Sequence, residues 1–158
     1  MPASCKARRQ ASAQPSNLRM SRRDILKFEG CAVAWQRALA EAGIGLPDLS
    51  FAEVHDCFTI AELIEYEAMG LVPEGQGARV IAEGTVAKDG RLPINPSGGL
   101  KAKGHPIGAT GVSMHAISAM QLTGAAGDMQ VKDARLAGIF NMGGAAVANY
   151  VSILERLR

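Results

Sequence analysis

The segment Asn95-Pro-Ser-Gly-Gly-Leu-Lys-Ala-Lys-Gly-His-Pro-Ile-Gly-Ala-Thr-Gly111 constrains this chain more than any other. Five glycines and two prolines in 17 residues exclude a long helix or strand through it. Such a run builds a glycine-rich turn that feeds a helix, expected here over about residues 108–124. Gly104 lets the backbone approach a ligand, and Pro106 stiffens the turn around His105. His105 is then presented at a helix N-terminus, where the dipole favours the neutral imidazole, a competent proton acceptor. A phosphate cradle is the competing idea, yet neither GxGxxG nor GxxxxGK[ST] is present. Taken alone, a histidine in such a loop also fits a purely structural turn.

A second constellation is His55-Asp56-Cys57-Phe58, at the end of a short strand expected over Phe51 to His55. Strand ends in α/β folds are where ligand sites gather. Thr59-Ile-Ala-Glu62 reads as a capping box opening a helix of about residues 59–69. Cys57 would then sit near a helix start that stabilises a thiolate. The bland alternative is a capping Asp56 beside a half-buried Cys57 and His55. A metal site of His55, Asp56, Cys57 and His105 matches no common zinc spacing.

The rest of the chain fits a layered α/β fold. Ser21 to Asp24 suggests a cap for a helix of about residues 24–42, with Val33, Ala34, Ala38 and Leu39 as its apolar stripe and Gly43 as its stop. The helix after Thr59 would bury Ile60, Leu63, Ile64 and Ala68, with Glu62, Glu65 and Glu67 outward. Residues 73–99 read as irregular, with a short strand near Leu92–Ile94. The helix after the glycine-rich turn would pack through Ala109, Val112, Ala116, Ile117 and Met120. Arg135–Asn141 and Ala146–Leu154 flank Gly143-Gly144 and predict a closing β-hairpin. Here Asn141 serves a turn that needs glycine.

Composition sets the class. With 47% hydrophobic residues in 158, the chain has material for one compact core. Because only 4% are aromatic, that core must rest on aliphatic side chains and Met. Residues 1–23 hold six of the 17 basic residues and no acid, which leaves the remainder near −4. A body of that charge is not built to bind nucleic acid. No apolar run suits a bilayer crossing, so a soluble domain is expected. The basic arm reads as a disordered leader, with Met20 as an alternative start, or as a mitochondrial transit peptide; the domain proper is expected over 24–158. Cys5, Cys31 and Cys57 are widely spaced, a pattern of reducing compartments, and the cytoplasm is the expected location. In its helix Cys31 reads as a packed thiol, and His115 as a packing or surface histidine.

The segments around His55, His105 and Gly143, in this order and spacing, resemble the thiolase family, closest to its sterol-carrier and lipid-transfer branch. Gly104-His105-Pro106 followed by Ile-Gly-Ala-Thr-Gly is similar to the family's GHP motif, and His55-Asp-Cys-Phe58 to that branch's HDCF motif. The likeness runs from about Arg22 to Arg158. It implies thiolase-type acyl transfer on acyl-CoA, with coenzyme A brought by the substrate and no metal or other cofactor. His105 would activate the nucleophilic cysteine, and His55 would help form an oxyanion hole, in part through a held water. The acid/base cysteine of most thiolases falls in Asn141-Met142-Gly143 and is absent, so Cys57 takes the proton-transfer role. Gly143 and Gly144 would supply backbone to a second oxyanion site.

The resemblance also implies that the family's nucleophilic-cysteine half and the first two strands of its five-stranded sheet are absent. A homo-oligomer or a complementing thiolase N-terminal half is the expected partner. Two rivals follow: a non-catalytic acyl-CoA-binding or scaffold subunit, and a truncated fragment inactive alone.

Overall fold

The computed structural model describes residues 4–13, 28–144 and 146–157. The expected cap at Ser21, the helix start at Asp24 and the alternative start Met20 lie outside the described residues. The chain forms strand β1 (Cys5–Ala13), helix α1 (Glu29–Ala42), strand β2 (Phe51–Glu53), helices α2 (Thr59–Ala68), α3 (Gly77–Ala82), α4 (Gly99–Lys103) and α5 (Thr110–Thr123), then strands β3 (Leu136–Gly143) and β4 (Ala148–Arg156). The four strands make one mixed sheet in the order β1-β4-β3-β2. β4 pairs antiparallel with both β1 and β3, whereas β2 runs parallel to β3.

Layering follows from the two middle strands. Ala137 to Phe140 and Val151 to Leu154 are buried without interruption, as strands covered on both faces must be. Phe140, Val151 and Ile153 belong to one core cluster with Trp35, Ala34 and Ala38 of α1. Ala137, Ile139 and Leu154 belong to a second cluster, with Met114 and Leu122 of α5. Successive side chains of a strand point to opposite faces, so the sheet separates the two cores. Gly138 is where α1 comes closest: a Cβ there would meet the Trp35 ring within 3 Å. Gly43, in the left-handed region at φ 66°, ends α1 where the sequence placed its stop.

Four expectations need correction. Cys5–Ala13 is not a disordered leader but a strand paired along β4, with an irregularity in register between Ala7 and Arg9. An edge strand is recruited by backbone hydrogen bonds and tolerates basic residues, so composition concealed it. The stretch 73–99 holds the short helix α3, and near Leu92–Ile94 there is only a single bridge, Ala52 to Ile94. On α5 the buried residues are Thr110, Met114, Ser118, Gln121 and Leu122, while Val112 and Met120 of the expected face are exposed. On α2 the expected Leu63, Ile64 and Ala68 do pack partly buried against the core, but Ile60 is 60% exposed and the fully buried residues include Glu65 and Tyr66. Each helix buries some polar side chains, Glu65 on one and Ser118 and Gln121 on the other, and exposes some apolar ones, which amphipathic periodicity alone does not foresee.

Glu65 is the costliest of these inversions. It is fully buried, and neither carboxyl oxygen has a hydrogen-bond partner in the protein. Burial pushes its carboxyl well above the usual carboxylate range, and Glu62 and Asp56 push it further. The folded chain therefore holds a proton on Glu65 that the unfolded chain gives up above about pH 4.3. Between those two values the folded state binds more protons, so stability falls as pH rises. Glu65→Leu is expected to stabilise the fold by about 1–3 kcal/mol at pH 8 and by less at pH 5. Thermal melts at both pH values decide this; an equal shift at each would refute the protonated buried acid.

Candidate active site

Two buried carboxylates at the end of β2 shape the site. Glu53 accepts from the Ser97 amide at 3.2 Å, the Ser97 hydroxyl at 2.7 Å and Lys103 Nζ at 3.2 Å. Asp56 Oδ1 accepts from the Leu100 amide at 2.7 Å, and Oδ2 lies 3.6 Å from Lys101 Nζ. The loop is tied back again by Asn95, whose Oδ1 accepts from the Val54 amide at 2.8 Å and whose Nδ2 donates to Glu62 at 3.1 Å. Glu53, Val54 and Asp56, at or just past the end of β2, and Glu62 of α2 together hold the 95–103 segment. Their combined effect is to aim the Gly104-His105-Pro106 turn at His55.

The two imidazoles meet edge to face, with ring centroids 4.9 Å apart and planes at 88°. His105 Nδ1 lies 2.7 Å from Thr110 Oγ1, and that hydroxyl donates to the Pro106 carbonyl at 3.1 Å. With its single proton committed, Thr110 accepts from His105 Nδ1–H, which leaves the Nε2 lone pair free. His55 Nδ1 lies 2.7 Å from Asn141 Oδ1. Burial holds the His55 imidazole below its ordinary value; the Asn141 bond opposes this and His105 adds to it. A neutral His55 at pH 7 is the consequence.

Around the imidazoles opens a cleft of about 680 Å³, lined in part by His55, Cys57, His105, Asn141, Gly143 and Gly144. All five site residues expected from sequence thus line one space. His105 does not sit directly on a helix N-terminus, however: Gly104 closes α4 before it, and α5 starts only at Thr110.

The expected thiolate stabilisation at Cys57 does not hold. Burial pushes its thiol up, the Glu65 carboxyl adds to that, and backbone hydrogen bonds only partly offset it. Nor does the capping box form, since the N-cap of α2 is Phe58 and Glu62 turns to Asn95 and Lys101 instead. Cys57 is therefore a proton-bearing thiol at rest. Its alkylation by iodoacetamide, followed by peptide mass spectrometry, is expected to be still accelerating at pH 9. A plateau below pH 8 would contradict a thiol held protonated at rest.

Other candidates fall elsewhere. Cys31 is fully buried, as a packed thiol should be. His115 is spent on structure, with Nδ1 on the Gly111 carbonyl at 2.7 Å and Nε2 on the Ser152 hydroxyl at 2.9 Å. The carboxylate of Asp56 is taken up by α4. Among the described residues no group of three or more His, Cys, Asp or Glu is arranged to hold a metal ion. Two residues escaped the sequence reading: Thr110 and Asn141. Thr110 sits inside the glycine-rich motif, a signal that was available; Asn141 looked like an ordinary turn residue.

Residues 11–156 match the family described as thiolase C-terminal domain-like. An acetyl-CoA acetyltransferase of Methanothermobacter thermautotrophicus is 40% identical over 148 residues, covering 92% of this chain and 39% of that protein. Sterol carrier protein 2 of Rattus norvegicus is 47% identical over 116 residues, 72% of this chain and 21% of that protein. Among solved structures, a chain of the Ltp2-ChsH2(DUF35) aldolase superposes with a TM-score of 0.76 at 24% identity, over 92% of this chain and 38% of that one. The fold is thus shared, and the chain spans about two-fifths of the first relative and a fifth of the second.

Proposed function

Because the chain belongs to the thiolase family, matching its C-terminal domain-like part, we propose that it supplies the acid/base and oxyanion groups of acyl transfer on acyl-CoA thioesters. The observation that carries this reading is the convergence of His105, His55 and Cys57 on one cleft. His105 Nε2 takes the proton of a nucleophilic thiol, and the thiolate attacks the keto carbon of a 3-ketoacyl-CoA. The carbon–carbon bond then breaks, and the departing acetyl-CoA carbanion takes the proton from Cys57. A thiol that is protonated at rest suits this cleavage direction. His55 and the backbone of Gly143 and Gly144 face the developing oxyanion.

The nucleophile is assigned to a complementing thiolase N-terminal half. Cys31 is buried, and Cys5 is not among the residues that line the cleft. A covering chain also answers an exposed apolar rim of residues that line the cleft: Ile107 is 88% exposed, Phe58 69%, and Ile60 60%. Apolar side chains grouped at a cleft mouth mark an interaction face.

The test mixes the chain with a thiolase half that carries the nucleophilic cysteine and follows thiolytic cleavage of acetoacetyl-CoA. Activity that requires both components and His105 is expected. Binding of acyl-CoA without turnover would replace this reading by that of a non-catalytic acyl-CoA-binding or scaffold subunit.

A further inference from the structure

We infer that Asn141 is a positioning residue that fixes the proton of His55 on Nδ1 and so turns His55 toward the cleft as a hydrogen-bond acceptor. The inference rests on the acyl-transfer reading for its consequence, although its geometry stands apart from it. Asn141 lies near the end of β3, opposite Tyr150 of β4. Its Oδ1 is 2.7 Å from His55 Nδ1, and an amide oxygen has only lone pairs to offer. The ring nitrogen facing it must carry the hydrogen. A neutral imidazole has one N–H, so Nε2 keeps a lone pair. The other end of the amide is equally confined: a Cβ at Gly111 would come within 3.0 Å of Asn141 Nδ2. The last glycine of the Gly104–Gly111 motif is therefore the space in which this amide sits, which gives it a role that turn geometry does not explain. Its φ is not in the left-handed region.

The pairing matters because Thr110 does the same to His105. Two Nε2 lone pairs then belong to rings 4.9 Å apart, a pair of acceptors with no donor between them. Such a pair takes a proton-bearing group, and it repels a bare oxyanion until one ring is protonated. His105 becomes that donor when it receives the proton of the nucleophile. His55 remains neutral and holds a hydroxyl or water, through which it reaches the oxyanion. Asn141 thus keeps His55 an acceptor at Nε2, while the proton taken from the nucleophile makes His105 the donor.

The experiment is side-chain nitrogen NMR of the full chain with ¹⁵N-labelled histidine at pH 7.5. Only three histidines contribute, and His55→Gln identifies the signal of interest. The Nδ1–H tautomer is expected for His55 in the native chain. In Asn141→Leu it is expected to pass to Nε2–H, the commoner form of free imidazole. Asn141→Asp keeps the acceptor and adds charge, so Nδ1–H is expected to persist while the titration midpoint rises. A native chain already in the Nε2–H form, or an unchanged tautomer in Asn141→Leu, overturns the inference. Because tautomers are read without turnover, failure of the acyl-transfer assay leaves this result intact, and the reverse holds too. Should Asn141→Leu not fold, an Asn141→Asp midpoint no higher than native refutes the contact.

Discussion

Replacing His105 by asparagine is expected to lower thiolytic turnover, measured with the complementing half present, by about 10²–10⁴-fold, the range of a positioned acid/base group. The loss should fall on kcat more than on KM, because a proton taken during attack is an interaction absent from the ground state. Thr110→Val supplies the internal comparison. It keeps the volume and removes the hydroxyl that receives His105 Nδ1–H, leaving the ring free to rotate or to change tautomer. A loss of about tenfold, the low end for an outer partner that orients a functional imidazole, is expected there. Equal losses in both variants would mean that His105 only holds the loop. An unaffected His105→Asn would remove His105 from catalysis altogether.

Much of this site was legible in sequence because its parts are local. The turn at Gly104 needs glycine, since φ is 92°, and the residue that follows it is presented to a cleft. His55 and Cys57 follow a buried strand directly, so the strand's end fixes their place. The closing hairpin was readable from two apolar runs around Gly143 and Gly144. What sequence concealed depends on contacts between distant segments. Periodicity assigned Ile60 to the core and Glu65 to solvent, yet both are reversed. Glu62 was read as a capping residue, but Asn95 and Lys101, more than 30 positions away, claim it. β1 was missed because pairing with β4 asks for backbone groups and not for an apolar pattern. Asn141 was passed over for a related reason: nothing within its own segment distinguishes a turn asparagine from one that grips a histidine 86 positions earlier.

Gly99→Ala is expected to be strongly damaging although it lies outside the cleft. Gly99 has φ +67°, and a Cβ there would press within 3 Å of the Asp56 carboxyl atoms. Asp56 cannot retreat cheaply, since it is 1% exposed and holds the Leu100 amide. Two costs therefore combine. The left-handed backbone adds about 1–2 kcal/mol for any residue with a Cβ, and displacing the buried carboxylate from its donors adds about 1–3 kcal/mol. Gly43→Ala separates them, because Gly43 has nearly the same φ, 66°, but open space where the Cβ would be. Urea titration should show Gly43→Ala losing only the backbone share, with Gly99→Ala about 1–3 kcal/mol worse. Matching losses would mean that the Asp56 clamp yields without penalty, and that the 95–103 segment is not held as rigidly as its contacts imply. The functional consequence follows from chain connectivity. α4 begins at Gly99 and is capped five residues later by the glycine that precedes His105, so a helix pushed off Asp56 carries the His105 imidazole with it. Gly99→Ala should then also lower turnover in the surviving folded fraction, through a residue that touches no substrate.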